Sequence, residues 1–172
     1  MDLYEKTITE RIIHKGNFMT YINVDVELPD GKIGNRDIIK HPGACAIIPF
    51  IDNETVILVK QFRKALEKNI LEIPAGKLEK GEDPKLCAIR ELEEETGYRA
   101  ENVTFLGTIA TAPGFCDELI HLYKATGLFQ GEKSLDEDEF TEVKVFTIEE
   151  IKSMIKNGEI IDTKTISSLM YL

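Results

Sequence analysis

Hydrophobic and polar residues partly alternate over residues 4 to 40, in segments whose composition is typical of strands. Three segments show the pattern, KTITERIIH, FMTYINVDVEL and IGNRDIIKH, and they are separated by the polar stretches His14–Asn17 and Leu28–Lys32. Alternation with short polar connections predicts a small antiparallel sheet. Such a sheet rarely covers apolar residues like Phe18, Tyr21 and Val24 by itself, which favours packing against a second copy of the chain.

The segments that follow are more continuously apolar, which is typical of buried strands. ACAIIPFI and TVILVKQFR come after the break at His41–Gly43, and further apolar runs are NILEIP, VTFLGTIAT, ELIHLYKATGL and VKVF. We therefore expect N-terminal antiparallel strands in residues 1–42 and a main domain in residues 43–172.

Residues 76–98, GKLEKGEDPKLCAIRELEEETGY, carry the strongest helix signals in the chain. Asp83 suits the position that caps a helix, Pro84 suits the first helical position, and Gly97 suits a left-handed exit. A helix from about Pro84 to Glu95 is predicted.

This helix has an apolar side and an acidic side. The side expected to pack on a core carries Leu86, Ala88, Ile89 and Leu92. Glu91, Glu94 and Glu95 fall within an arc of roughly 100° on the other side. Arg90 can offset part of their repulsion by pairing with Glu94 or with Glu82. The remaining carboxylates suit a hard divalent cation, while a solvated acidic face is the alternative for this run alone.

The C-terminal third adds helix signals of its own. Thr147 and Glu150 form a capping-box pattern before an apolar-periodic stretch that Gly158 ends, and Asp162 precedes a final helix. Strands thus surround one central helix, with one or two helices at the end. The fold class is α+β.

Composition limits the classes of function. The net charge of −10, from 21 basic and 31 acidic residues, argues against a nucleic acid or an anionic membrane as main partner. No apolar run reaches the length of a membrane span, and the charged start MDLYEKTITER does not resemble a signal peptide. Cys45, Cys87 and Cys116 lack metal-ligand spacing and suit buried reduced thiols, so a cytoplasmic setting is expected.

The spacing G-x5-E-x7-R-E-U-x-E-E-x-G-U, where U is a bulky aliphatic residue, resembles the Nudix box of the Nudix hydrolases. The positions that match are Gly76, Glu82, Arg90, Glu91, Leu92, Glu94, Glu95 and Gly97. Tyr98 departs from the usual aliphatic residue at a packing position. The resemblance implies the Nudix fold, a mixed sheet between helices. It also implies hydrolysis of a nucleoside diphosphate linked to another moiety, with Mg²⁺, Mn²⁺ or another divalent cation.

The same resemblance implies roles for the box residues. Glu91, Glu94 and Glu95 would hold the ions, together with the carbonyl of Ala75. Glu82 would either hold Arg90 or bind metal, and Arg90 would orient the acids. Gly76 and Gly97 would shape the backbone.

A narrower resemblance indicates the substrate. Pro113 lies sixteen residues after Gly97, and this proline resembles that of the bacterial ADP-ribose pyrophosphatase subgroup. QFR at 61–63, Pro113–Phe115, the acids at 117–118 and DEDEF at 136–140 are similar to that subgroup as well. The resemblance implies cleavage of ADP-ribose to AMP and ribose 5-phosphate by a homodimer that exchanges its N-terminal sheets.

In that subgroup a loop glutamate closes over the site as base or further metal ligand, and Glu137 and Glu139 are the candidates here; a solvated loop is the alternative. Arg63 would contact the phosphates or the distal ribose, or be an exposed strand-end charge. The remaining substrate-binding candidates are Phe18, Arg36, Pro113 and Glu118, with Phe18 and Arg36 stacking on adenine from the partner subunit.

Two alternative functions stay open. In the first alternative, the enzyme cleaves another nucleotide sugar or a dinucleotide; Pro113 argues against this substrate. In the second, the chain is a non-catalytic regulator that binds ADP-ribose; the intact acids of the box argue against this function.

Overall fold

A computed structural model describes residues 2–135 and 139–172, in which the chain forms ten strands and three α-helices. The chain divides into two compact units. The first comprises Met1–Gly43 and Ala110–Leu119, and the second comprises Ala44–Ile109 and Ile120–Leu172. The segment 110–119 joins the N-terminal unit although it lies far along the chain.

The first unit contains the predicted N-terminal antiparallel sheet. Its strands are β1 (Lys6–Lys15), β2 (Thr20–Glu27) and β3 (Ile33–Lys40), in the order β1-β2-β3. The turn at Leu28–Lys32 joins the last two, and the Leu28 amide donates to the Lys32 carbonyl over 2.8 Å. The prediction of three strands is confirmed.

Tyr21 and Val24 lie on opposite faces of this sheet, and only the face of Val24 is buried. Ile22, Val24 and Val26 form a buried cluster, whereas Tyr21 lies on the other face and its hydroxyl donates to Asp37 over 2.8 Å. Adjacent side chains of a strand point to opposite faces, so odd and even positions cannot share one apolar face. The expectation that Val24 lacks cover within its own chain was wrong, since Val24 is 3% exposed.

The second unit contains two sheets. Its strands are β4 (Ala44–Pro49), β5 (Thr55–Arg63), β6 (Lys68–Glu72), β7 (Ala75–Lys77), β8 (Tyr98–Ala110), β9 (Leu119–Gln130) and β10 (Thr141–Thr147). One sheet has the order β10-β5-β6 and the other β7-β4-β9-β8. Since β4 is antiparallel to β7 and parallel to β9, the second sheet is mixed, as the resemblance implied.

The helices are α1 (Pro84–Thr96), α2 (Ile148–Lys156) and α3 (Thr163–Ser168). The Asp83 carboxylate accepts from the first backbone amides of α1, and Gly97 ends this helix with a φ of 75°. Thr147 and Asp162 cap α2 and α3. These boundaries confirm the sequence prediction. No helix in the described ranges is both long and apolar enough to cross a bilayer.

The apolar face of α1 is rotated from the predicted one. Cys87, Ala88 and Leu92 are fully buried, whereas Leu86 is 61% exposed. Leu86 lies nine residues before Glu95, which is roughly 180° around the helix, and Glu95 is itself buried. Because the buried side of α1 includes two carboxylates of the box, Leu86 is turned to solvent, and its predicted place in the core was wrong.

Candidate active site

Strand β7, which precedes α1 in the chain, lies directly against a carboxylate of the helix. Gly76 is the central residue of β7, opposite Cys45 of β4. A Cβ atom on Gly76 would lie 1.7 Å from Oε1 of Glu91. A side chain at position 76 would therefore displace the Glu91 carboxylate, so glycine leaves the space that this acid occupies.

Arg90 joins three acids of the box. Its Nε and Nη2 donate to the carboxylate of Glu82 over 3.0 and 3.2 Å, and its Nη1 donates to Glu91 over 2.7 Å and to Glu94 over 2.8 Å. The expected pairs with Glu82 and Glu94 are both present. Hydrogen bonding with Arg90 lowers the pKa of Glu82. Glu82 also accepts from the Glu79 amide over 3.0 Å, so its contacts favour a role in holding Arg90.

Glu95 is the most deeply buried acid of the box, with 3% of its surface exposed. Burial, followed by the negative charge of Glu91, raises its pKa to about 8; the charges of Glu72 and Glu139 act in the same direction. The Ala75 amide donates to Glu95 over 3.2 Å and partly opposes this shift. The carboxylate is therefore held beside other negative charges in a region from which water is largely excluded.

Glu91 and Glu94 differ in exposure. Burial raises the pKa of Glu91, while its contact with Arg90 lowers it and the charge of Glu139 adds to the rise. The Glu94 side chain is 37% exposed, so it is the acid of the three most open to solvent. Glu139 thus lies close enough to act on the buried acids, whereas Glu137 lies outside the described residues.

The donor set fits a hard divalent cation. In residues 2–135 and 139–172, no three acidic, histidine or cysteine side chains are arranged at metal-binding distances, since Arg90 engages Glu91 and Glu94. However, burial and mutual repulsion raise the pKa of both Glu91 and Glu95. A cation among these oxygens would relieve that repulsion, and oxygen-only donors are what Mg²⁺ and Mn²⁺ prefer.

Arg63 ends β5 and pairs with a buried acid that sequence reasoning missed. Its Nε and Nη2 donate to Oε1 and Oε2 of Glu72 over 2.8 Å each. Glu72 is 1% exposed, while 41% of the Arg63 side chain is exposed. The only sequence signal for Glu72 is an acid between Leu71 and Ile73 in a strand-like run. The prediction that Arg63 contacts substrate stays a prediction.

Three other candidates belong to the first unit and line one cavity of about 570 Å³: Arg36, Pro113 and Glu118. Arg36 donates from Nε and Nη2 to the carboxylate of Glu5 over 3.0 and 2.6 Å. Glu118 accepts from the Thr111 hydroxyl over 2.7 Å. Sequence reasoning did not select Glu5 or Thr111.

Phe18 does not line this cavity. Its ring is 47% exposed and lies edge-on to the His41 ring, with 5.6 Å between the centroids. The cavity is lined by both signs of charge, since Arg36 pairs with Glu5 and Lys40 pairs with Asp117, and Glu118 lies beside them. A polar ligand would find donors and acceptors there.

The raised pKa of Glu95 predicts how stability changes with pH. The unfolded value is 4.5 and the folded value about 8, so between these pH values the unfolded chain releases a proton that the folded chain keeps. The free energy of unfolding should therefore fall as pH rises through this window, by at most about 5 kcal/mol. We expect the melting temperature in EDTA to fall from pH 5 to pH 8.

A bound cation favours the ionised carboxylate, so Mg²⁺ should raise the melting temperature more at pH 8 than at pH 5. Glu95→Gln, which removes the titrating group, should flatten the fall in EDTA. A melting temperature in EDTA that is constant over this window would contradict the environment described for Glu95.

Known proteins with similar sequences agree with the interpretation of these acids as a Nudix box. A model of the NUDIX domain matches residues 40–169. A methanol dehydrogenase activator from Bacillus methanolicus is 49% identical over 170 residues, which cover 98% of this chain and 92% of that protein. An ADP-ribose pyrophosphatase from Bacillus subtilis (strain 168) is 48% identical over 172 residues, which cover 99% and 93% of the two chains.

A solved structure of an ADP compounds hydrolase superposes with a TM-score of 0.87 and covers 99% of this chain and 94% of the other. Its sequence identity is 20%. At that identity the likeness shows the fold alone, and it confirms the predicted mixed α+β arrangement.

Proposed function

The chain belongs to the Nudix family, and we propose that it hydrolyses the diphosphate bond of ADP-ribose, giving AMP and ribose 5-phosphate. The observation that carries the proposal is the complete box in its folded form, with Gly76 packed on Glu91, Arg90 joining the acids and Glu95 buried beside them. A regulator that only binds ADP-ribose would not need this buried repulsion.

In the proposed reaction, the oxygen of one water forms a new bond to a phosphorus atom, and the bridging P–O bond breaks. Glu91, Glu94 and Glu95, with the carbonyl of Ala75, would hold the divalent cation, for which we propose Mg²⁺. When bound, that cation stabilises the charge developing on the diphosphate oxygens. Arg90 keeps Glu91 and Glu94 in place, and Glu82 in turn holds Arg90.

A carboxylate has to accept the proton of the attacking water. We assign this role to Glu139, whose charge acts on both Glu91 and Glu95; Glu137 is the second candidate. Arg63 would donate to the diphosphate, since a large part of its side chain is exposed. A guanidinium is well suited to phosphate oxygens because it presents several donors in one plane.

The substrate assignment is supported by the relatives. ADP-ribose pyrophosphatases from Bacillus subtilis and Mycobacterium tuberculosis share 48% and 33% identity with this chain over almost its full length. GDP-mannose pyrophosphatases share 32% to 34%, so another nucleotide sugar is the second candidate. We also propose that Pro113 and Glu118 contribute to substrate binding, and that Phe18 and Arg36 stack on the adenine from the partner subunit.

We also propose a homodimer in the cytoplasm. All ten residues of the edge strand β1 are exposed, Ile8, Ile12 and Ile13 among them. In the described residues no strand pairs with its outer edge, which suits a second copy of the chain. The three free thiols suit a reducing compartment. Light scattering that gives a monomer mass would contradict the dimer.

A substrate panel tests the proposal. With Mg²⁺, AMP release should be fastest from ADP-ribose, compared with ADP-glucose, GDP-mannose, NADH and diadenosine polyphosphates. If another nucleotide sugar is cleaved fastest, the box chemistry stands and the ADP-ribose assignment is wrong. If ADP-ribose binds without turnover in Mg²⁺ and in Mn²⁺, the chain is a binding protein. Because the chain is similar to a methanol dehydrogenase activator, the next measurement would then be its effect on the activity of a purified alcohol dehydrogenase.

A further inference from the structure

A buried network of ion pairs lies behind Arg63. The Nζ atom of Lys164 contacts the Glu72 carboxylate and lies 3.0 Å from Oδ1 of Asp162. Only 9% of the Lys164 side chain is exposed. Glu72 Oε2 is thus shared by Lys164 and Arg63. The network contains two cations and two carboxylates, so its formal charges balance.

The backbone, and not the ion pair alone, brings Lys164 to Glu72. The Thr165 hydroxyl accepts from the Ile73 amide over 2.8 Å and donates to Asp162 over 2.6 Å. Thr165 follows Lys164 and Ile73 follows Glu72, so the two segments are joined next to the ion pair. Lys164 is consequently held at Glu72 by the fold.

Lys164 changes how much of the charge of Arg63 is left for a ligand. Without Lys164, Glu72 and Asp162 would be opposed by Arg63 alone, and the network would have a net charge of −1 next to the substrate anion. With Lys164 present the network is neutral, so the Arg63 guanidinium faces the site without an excess of negative charge behind it. Nη1 of Arg63 donates no hydrogen bond within the described parts of the chain, and its two N–H groups are available to an anion.

We propose that Lys164 is a positioning residue for the substrate diphosphate, which compensates Glu72 so that Arg63 presents its positive charge to the phosphate oxygens. The inference deepens the proposed function and rests on it for the identity of the substrate. An ion pair with a structural role alone would stabilise the fold and leave substrate affinity unchanged. The two roles are therefore separable by measuring stability and affinity on the same variants.

The first test compares Lys164→Met with Lys164→Arg in steady-state hydrolysis of ADP-ribose. Loss of one charge near a diphosphate should raise KM on the order of tenfold, with kcat within about twofold of the wild type. Lys164→Arg, which keeps the charge, should restore most of the affinity. The double variant Lys164→Met, Glu72→Gln removes both charges and should return KM toward the wild-type value.

Ser168→Ala is the matched control for stability. Ser168 is buried in the same helix, and its hydroxyl donates to the Thr165 carbonyl over 2.8 Å and not to the Glu72 carboxylate. It should lower the melting temperature and leave KM unchanged. If Lys164→Met behaves as Ser168→Ala does, the proposal is overturned. If Lys164→Met does not fold, the comparison of Glu72→Gln with the double variant decides: equal KM values would overturn it.

A binding measurement separates this inference from the proposed function. ADP, which carries the diphosphate but no second sugar, is titrated calorimetrically into the wild type and Lys164→Met. Weaker binding to Lys164→Met supports the role of Lys164, and equal dissociation constants overturn it. If the wild type binds ADP but does not cleave ADP-ribose, the proposed function fails while the role of Lys164 is still tested.

Discussion

Glu94→Gln should lower kcat for ADP-ribose by about 10³-fold, in the range typical of losing one ionised catalytic group, while the melting temperature stays within a few degrees. The amide keeps the shape of the side chain but loses the charge that would hold a divalent cation. The Glu94 side chain is 37% exposed and, within the described residues, accepts one hydrogen bond, from Arg90, so little of the fold depends on it. The measurement is kcat at saturating substrate with Mg²⁺, alongside thermal unfolding.

Glu93→Gln is the matched control because it makes the same chemical change one residue earlier on α1. Glu93 pairs with Arg99 over 2.7 Å and accepts from the Glu132 amide over 3.2 Å, away from the other acids of the box. It should retain nearly full activity. An unchanged kcat for Glu94→Gln with Mg²⁺ would contradict the assignment of the metal site. Equal losses of kcat in both variants would indicate a general effect of charge on this helix.

The helix that carries the site was predictable because its signals are local. Asp83, Pro84 and Gly97 act on backbone groups within a few residues of themselves, and the structure places the ends of α1 where these residues predict. The pairing of Arg90 with Glu82 and Glu94 was predictable for the same reason, since loop and helix spacing bring these side chains together.

The burial of the acids was not predictable from the helix alone. A helical wheel gives relative angles, but the rotation of α1 is set by the sheet beneath it, which buries Cys87 and Glu95 and exposes Leu86. The pairing of Glu72 with Lys164 was missed because the two residues are 92 positions apart. Only the docking of α3 through Thr165 and Ile73 brings them together.

Gly76→Ala should both destabilise the chain and abolish activity. The added Cβ would lie 1.7 Å from Oε1 and 1.9 Å from Cδ of Glu91, so either strand β7 or the Glu91 carboxylate has to move. Overpacking of this kind typically costs about 1–3 kcal/mol, and we expect a cost in this range because the Glu91 carboxylate that has to move is buried and bonded to Arg90. Urea unfolding gives the loss of stability, and AMP release gives the loss of activity.

The double variant Gly76→Ala, Glu91→Ala tests whether the contact itself is the cause. Removing the Glu91 carboxylate makes room for the methyl group, so the double variant should recover much of the stability, yet it should stay inactive because an acid of the box is gone. Gly81→Ala is the contrasting control, since its Cβ meets nothing within 4 Å but its φ is 81°. Conformational strain alone should cost roughly 1 kcal/mol there and leave most of the activity. If Gly76→Ala is no worse than Gly81→Ala, the packing of Gly76 on Glu91 does not determine the geometry of the site.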